Sequence, residues 1–135
     1  MCAEWDFGGF PARLLNIDGI KLRANNAVYL NEVKVYFESL VPVLKPYWAK
    51  NGGNIILLQI ENEYGFYGSD KSYMEALRTM WSSLDVDSEQ YYVDTVYNLE
   101  KCYWSGANIG INDGNTEVQY EFAKTLGKTG VIFGG

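Results

Sequence analysis

Residues 54–65 read NIILLQIENEYG. From Ile55 to Ile60 the run is apolar except for Gln59, which is how a short strand buried on both faces reads. Such strands belong mostly to parallel sheets. Straight after it come Glu61, Asn62 and Glu63. Two acids this close repel each other and are costly to desolvate. Either water covers them or some chemistry uses them.

The flanks of this stretch decide what kind of sheet it joins. Upstream, Asn26 is placed to cap a helix whose apolar stripe is Leu30, Val33, Phe37, Leu40, Val41 and Leu44, at helical spacing. Pro42 and Pro46 should kink or shorten its second half, and Asn51-Gly52-Gly53 breaks it. Downstream the pattern repeats. Ser69 or Asp70 caps a helix with Tyr73, Leu77, Met80, Trp81 and Leu84 on one face. Residues 91–97, YYVDTVY, read as a strand rich in aromatic and β-branched residues. A short helical turn over 99–104 and a weak strand over 107–111 follow. Asn115 caps a third helix carrying Val118, Phe122 and Leu126, which Gly127 closes. Val131-Ile132-Phe133 starts one more strand.

Helix and strand alternate throughout, the signature of β-α units around a parallel sheet. Neither Gly8-Gly9 nor Gly52-Gly53 has the GxGxxG spacing of a doubly wound nucleotide fold. The fold class expected is therefore α/β, a partial (β/α)8 TIM barrel. A whole barrel typically takes about 250 residues, so residues 1–135 suit roughly half of one, with its outer helices, as a single unit. The opening MCAEWDFGGF reads as the end of a strand and its loop, so the expectation is a fragment of a longer catalytic domain.

Composition narrows the partners. Lys plus Arg number 11 against 17 Asp plus Glu, a net charge of −6, and nucleic acid needs a basic face. No apolar run approaches the roughly 20 residues that span a bilayer. There is no histidine, which excludes Ser-His-Asp and Cys-His catalysis and histidine-rich metal sites. Cys2 and Cys102 stand alone without zinc spacing. No metal and no cofactor is expected. Eleven Tyr and four Trp suit a sugar as well as a core.

In a barrel, active sites lie at the C-terminal strand ends. Residues 59–65, 94–98, 112–114 and the opening CAEW would all share that rim. Carboxylates dominate it, and paired carboxylates without histidine point to glycoside hydrolysis.

Three stretches carry a resemblance: CAEWDFGGFPARLL (2–15), the helix YLNEVKVYFESLVPVLKP (29–46), and NGGNIILLQIENEYGFYG (51–68). They resemble the β-galactosidases of glycoside hydrolase family thirty-five. The match covers roughly residues 2–80, and the tail fits in spacing and architecture only. The resemblance implies a retaining, exo-acting enzyme on terminal β-galactosides or oligosaccharides, with Glu63 as general acid/base. It implies that Asn62 bonds the sugar 2-hydroxyl, that Glu4 binds galactose hydroxyls, and that Cys2 and Ala3 line the same pocket. Glu61 would support its neighbours. Since alternation sends Asn62 and Glu63 to opposite faces, a bulge or sharp turn is needed for both to reach one sugar.

Arg13 stands where the family usually carries Trp. The nucleophile, on the family pattern, is expected just after Gly135, so the chain taken alone is expected to be inactive. Family members are mostly secreted, periplasmic or lysosomal, which implies an exported parent. Other readings stay open beside this one. Glu4 could pair with Arg13 or Arg23, Asn112-Asp113-Gly114 reads as a turn, and Trp48, Trp81 and Trp104 as packing, leaving Trp5 as the candidate to stack on a sugar. A galactose-binding module without catalysis and a β-glucanase are the alternative functions.

Overall fold

The computed structural model describes residues 6–84, 86, 88–104, 107–112, 115–127 and 133–134. The expectations for Cys2, Ala3, Glu4, Trp5, Asp113, Gly114, Val131 and Ile132 fall outside these residues.

Four strands form one sheet, β1 (Leu57–Gln59), β2 (Glu89–Asp94), β3 (Asn108–Ile111) and β4 (Phe133–Gly134), in the order β1-β2-β3-β4. Every pairing is parallel: Leu58 lies opposite Gln90, Val93 opposite Gly110, and Gly110 opposite Phe133. Helices fill the connections, α1 (Ala27–Leu44) before β1, then α2 (Tyr64–Tyr67) and α3 (Lys71–Ser83) between β1 and β2. The short α4 (Leu99–Cys102) precedes β3, and α5 (Thr116–Thr125) precedes β4. The α/β class with a parallel sheet is as the sequence pattern predicts.

The predicted caps are in place. Asn26 accepts from the Tyr29 amide, Asp70 from those of Ser72 and Tyr73, and Asn115 from that of Val118. Each satisfies N–H groups that a helix start leaves without a partner. α1 runs through Pro42 to Leu44, the last residue of the expected stripe. The proline stands so near the end that the ladder loses only one late bond, and Pro46 falls in a tighter 3-10 turn, Lys45–Tyr47. β2 starts at Glu89 and stops at Asp94 rather than running to Tyr97, whose ring is exposed. The sheet ends where Asp94 turns its carboxylate to the neighbouring loop.

One core joins the helices to the sheet. Tyr29 and Val41 of α1, Tyr73, Met74, Leu77 and Trp81 of α3, and Ile60, Tyr92, Ile109 and Ile111 from the strands and their ends are all buried in it. Phe37 stacks on Trp81 at 3.9 Å between ring centroids, a contact worth about 0.5–1.5 kcal/mol beyond area burial. Met74 is buried where the stripe pointed to Met80.

The turns after β1 and β2 lock together at Gly65. Its amide donates to Asp94 Oδ2 at 2.7 Å and to the Tyr92 hydroxyl at 3.2 Å. A Cβ there would stand 2.6 Å from Asp94 Oδ2 and from the Asn98 carbonyl oxygen. Gly65→Ala is therefore expected to lower stability by about 1–3 kcal/mol through overpacking. A urea midpoint indistinguishable from wild type would contradict this close approach.

Candidate active site

The stretch after β1 leaves the regular ladder by one residue. The Ile60 amide donates to the Tyr91 carbonyl at 2.8 Å, and the next donor to β2 is the Glu63 amide, to the Val93 carbonyl at 2.9 Å. In an unbroken parallel ladder that donor would be Asn62, since alternate residues bond. Three residues on one strand thus oppose two on the other, which is a β-bulge. Glu61 (φ 60°) and Glu63 (φ 48°) both take the left-handed conformation to make it. The bulge required by the reading of Asn62 and Glu63 is present.

Each polar side chain here has a defined place. Glu61 is the buried member, its side chain 1% exposed. Arg23 Nε and Nη2 donate to its two oxygens at 3.0 and 2.9 Å. The Tyr73 hydroxyl donates to Oε1 at 2.7 Å, and the Asn62 amide to Oε2 at 2.9 Å. Burial alone would push Glu61 towards its neutral form. The bonds from Arg23 and Tyr73 and the guanidinium charge outweigh it and hold the carboxyl below its usual range. Burial and the Glu61 charge together push the Tyr73 hydroxyl far up, so it remains a donor. Glu61 is a structural anion, in keeping with a supporting role.

Asn62 Oδ1 accepts from Gln59 Nε2 at 2.8 Å, and Gln59 Oε1 in turn accepts from the Tyr91 hydroxyl at 3.0 Å. Glu63 is half-buried, and its Oε1 accepts from Asn112 Nδ2 at 2.9 Å. Asn112 follows β3, held by its amide on the Asp94 carbonyl at 3.0 Å. The ends of β1 and β3 therefore meet across β2 at the carboxylate of Glu63. Among the described residues no cation pairs with that carboxylate. Among the described residues, the half-buried Glu63 carboxyl thus meets one neutral amide, on one of its oxygens, and no counter-ion.

A cavity of about 510 Å³ adjoins the site. Asn62, Glu61 and Gln59 reach it, but Phe10, Tyr29, Phe37, Leu77 and Trp81 make most of its wall and Glu63 is not among its lining residues. It lies between α1, α3, the segment 9–14 and the end of β1. An apolar space in the layer between helices and sheet is not where a sugar's hydroxyls would be read. Among the described residues no cluster of three His, Cys, Asp or Glu side chains could hold a metal ion.

Sequence reasoning undervalued four residues. Asn112 read as part of a turn, yet it touches Glu63. Arg13 and Arg23, considered as partners for Glu4, pair with Glu32 and Glu61. Gln59, the one polar residue in an apolar run, was the available signal for the amide network. Nothing in the sequence around Arg23 pointed to its partner.

Comparison with known proteins gives a consistent picture. The family model described as Glycosyl hydrolases family 35 matches residues 1–125. "Beta-galactosidase 1" of Dictyostelium discoideum is 49% identical over 79 residues, which is 58% of this chain and 12% of that protein. "Beta-galactosidase 17" of Arabidopsis thaliana is 47% identical over 81 residues, 59% of this chain and 12% of that one. The "Beta-galactosidase" of Bos taurus is 47% identical over 79 residues, again 58% and 12%. The matched stretch is thus a small part of each relative's length.

Proposed function

We propose, on the premise that this chain belongs to the glycosyl hydrolases of family 35, that it carries the acid/base half of a retaining β-galactosidase site. The four parallel strands are then about half of a (β/α)8 barrel, and the strand ends that bear Glu63 and Asn112 are part of its catalytic rim. The observation that carries the reading is the bulge. It presents Glu63 at the C-terminal end of a parallel strand with its carboxylate on a neutral amide rather than in an ion pair.

In this reading Glu63 first gives its proton to the glycosidic oxygen as the bond to the galactose C1 breaks. An opposing carboxylate attacks C1 from the other face to form a galactosyl-enzyme. By the family resemblance that carboxylate stands at a later strand end, about 5 Å from Glu63. Glu63, now ionised, then takes a proton from water as the water displaces the carboxylate. Asn62 is assigned to the 2-hydroxyl, where a hydrogen bond strengthens as charge develops. Glu4, with Cys2 and Ala3, is assigned to the galactose pocket. The substrate is a terminal β-galactoside or galactose-ended oligosaccharide.

The test is the stereochemistry of the product. The intact protein, mixed with an aryl β-galactoside and followed by proton NMR, should release β-galactose first, with α-galactose appearing only by mutarotation. First release of the α-anomer would end the retaining assignment. Cleavage of β-glucans without cleavage of any β-galactoside would end the galactosidase assignment.

A further inference from the structure

We propose that Arg23 is a positioning residue for the acid/base, an inference that rests on the reading of Glu63 above. Its guanidinium grips both oxygens of Glu61 and, through Nη2, the Asn62 carbonyl at 3.0 Å. The three contacts hold the two residues that carry the extra length of the bulge. Arg23 is itself held. Its guanidinium carbon lies 4.6 Å from the ring centroid of Tyr67 and 5.4 Å from that of Tyr64.

Backbone strain gathers at the same place. The described non-glycine residues with positive φ are Phe7, Arg23, Glu61 and Glu63, and the last three form this assembly. Strained residues persist only where their surroundings over-determine them. The relaxed alternative is easy to name: Asn62 becomes the donor to Val93, the ladder closes up, and Glu63 rotates away from Asn112. The fork on Glu61 and the contact to the Asn62 carbonyl oppose that slip. A lysine has one charged nitrogen and cannot make the planar two-point grip while also reaching the carbonyl.

The experiment compares leaving groups in the intact protein. In Arg23→Lys, kcat for an alkyl β-galactoside should fall roughly 100-fold, the loss expected when a catalytic group is misplaced by about 1 Å. Galactosylation by 2,4-dinitrophenyl β-galactoside, whose leaving group needs no proton, should fall far less, by only the share that the displaced Asn62 contact to the 2-hydroxyl carries. Loss of folded protein lowers both rates by one factor, so it cannot imitate this ratio. Equal losses, or none, would overturn the role of Arg23. Glu63→Gln, run alongside, separates the two levels. If it changes the ratio and Arg23→Lys does not, Arg23 is merely structural and the acid stands. If Glu63→Gln leaves the ratio unchanged, the acid assignment fails and this inference fails with it. Should Arg23→Lys not fold, Tyr67→Leu removes the ring under the guanidinium from an exposed position. A smaller shift of the same ratio supports the proposal, and an unchanged ratio refutes it.

Discussion

Glu63→Gln in the intact protein is expected to slow cleavage of alkyl galactosides by roughly a hundred- to ten-thousand-fold, the usual share of general acid catalysis. The amide is the same size and can keep a contact with Asn112, so the fold should be unaffected. What it cannot do is deliver a proton to a departing alkoxide. Dinitrophenolate leaves without one, so the first step on that substrate should survive, and the galactosyl-enzyme should then accumulate because no base activates water for the second step. Rapid-quench measurement of the initial burst checks both halves. A steady state without burst on the activated substrate, together with equal losses on both, would remove Glu63 from the acid role.

The second large effect is on stability. Glu61→Ala would leave Arg23, with its side chain only 16% exposed, buried without the carboxylate it forks, and Tyr73 without its acceptor. Breaking a buried pair by removing one partner costs about 3–5 kcal/mol, a large part of what a domain has to lose. The same pair gives a pH dependence of definite sign. The folded state holds the Glu61 carboxyl below the 4.5 usual for a glutamate. Its contribution is therefore fully present above about pH 4.5 and is lost as pH falls through the folded-state value. Urea midpoints at pH 7 and pH 3.5 should draw closer between wild type and Glu61→Gln. A constant gap across that range would show that Glu61 contributes no charge to the fold.

The elements were legible because they are local. Asn26, Asp70 and Asn115 announce helix starts by chemistry that acts over three residues. The run at 55–60 announces a buried parallel strand by what it lacks. The parallel order follows from alternation of helix and strand. The site was legible only as far as sequence neighbours reach. Glu61, Asn62 and Glu63 stand together in the chain, and the bulge could be demanded from alternation alone. Asn112 is forty-nine positions from Glu63, and their contact depends on β1 and β3 ending level on either side of β2. No periodicity encodes that. Arg23 is harder still, a left-handed residue in a loop whose partner is chosen by tertiary packing.

The extra residue between Ile60 and Glu63 makes chain length itself a functional quantity. It gives Glu63 the register position on β2, and so the side of the sheet, that Asn62 would otherwise take. A chain shorter by one residue there could pair amide for amide with β2 and relieve two strained torsions. The sheet would gain by it, while the residue lost would be Glu61, which anchors Arg23, or Asn62, the group assigned to the sugar. Durability and chemistry pull this segment in opposite directions, so variants chosen only for heat resistance would tend to erase the site while keeping every strand.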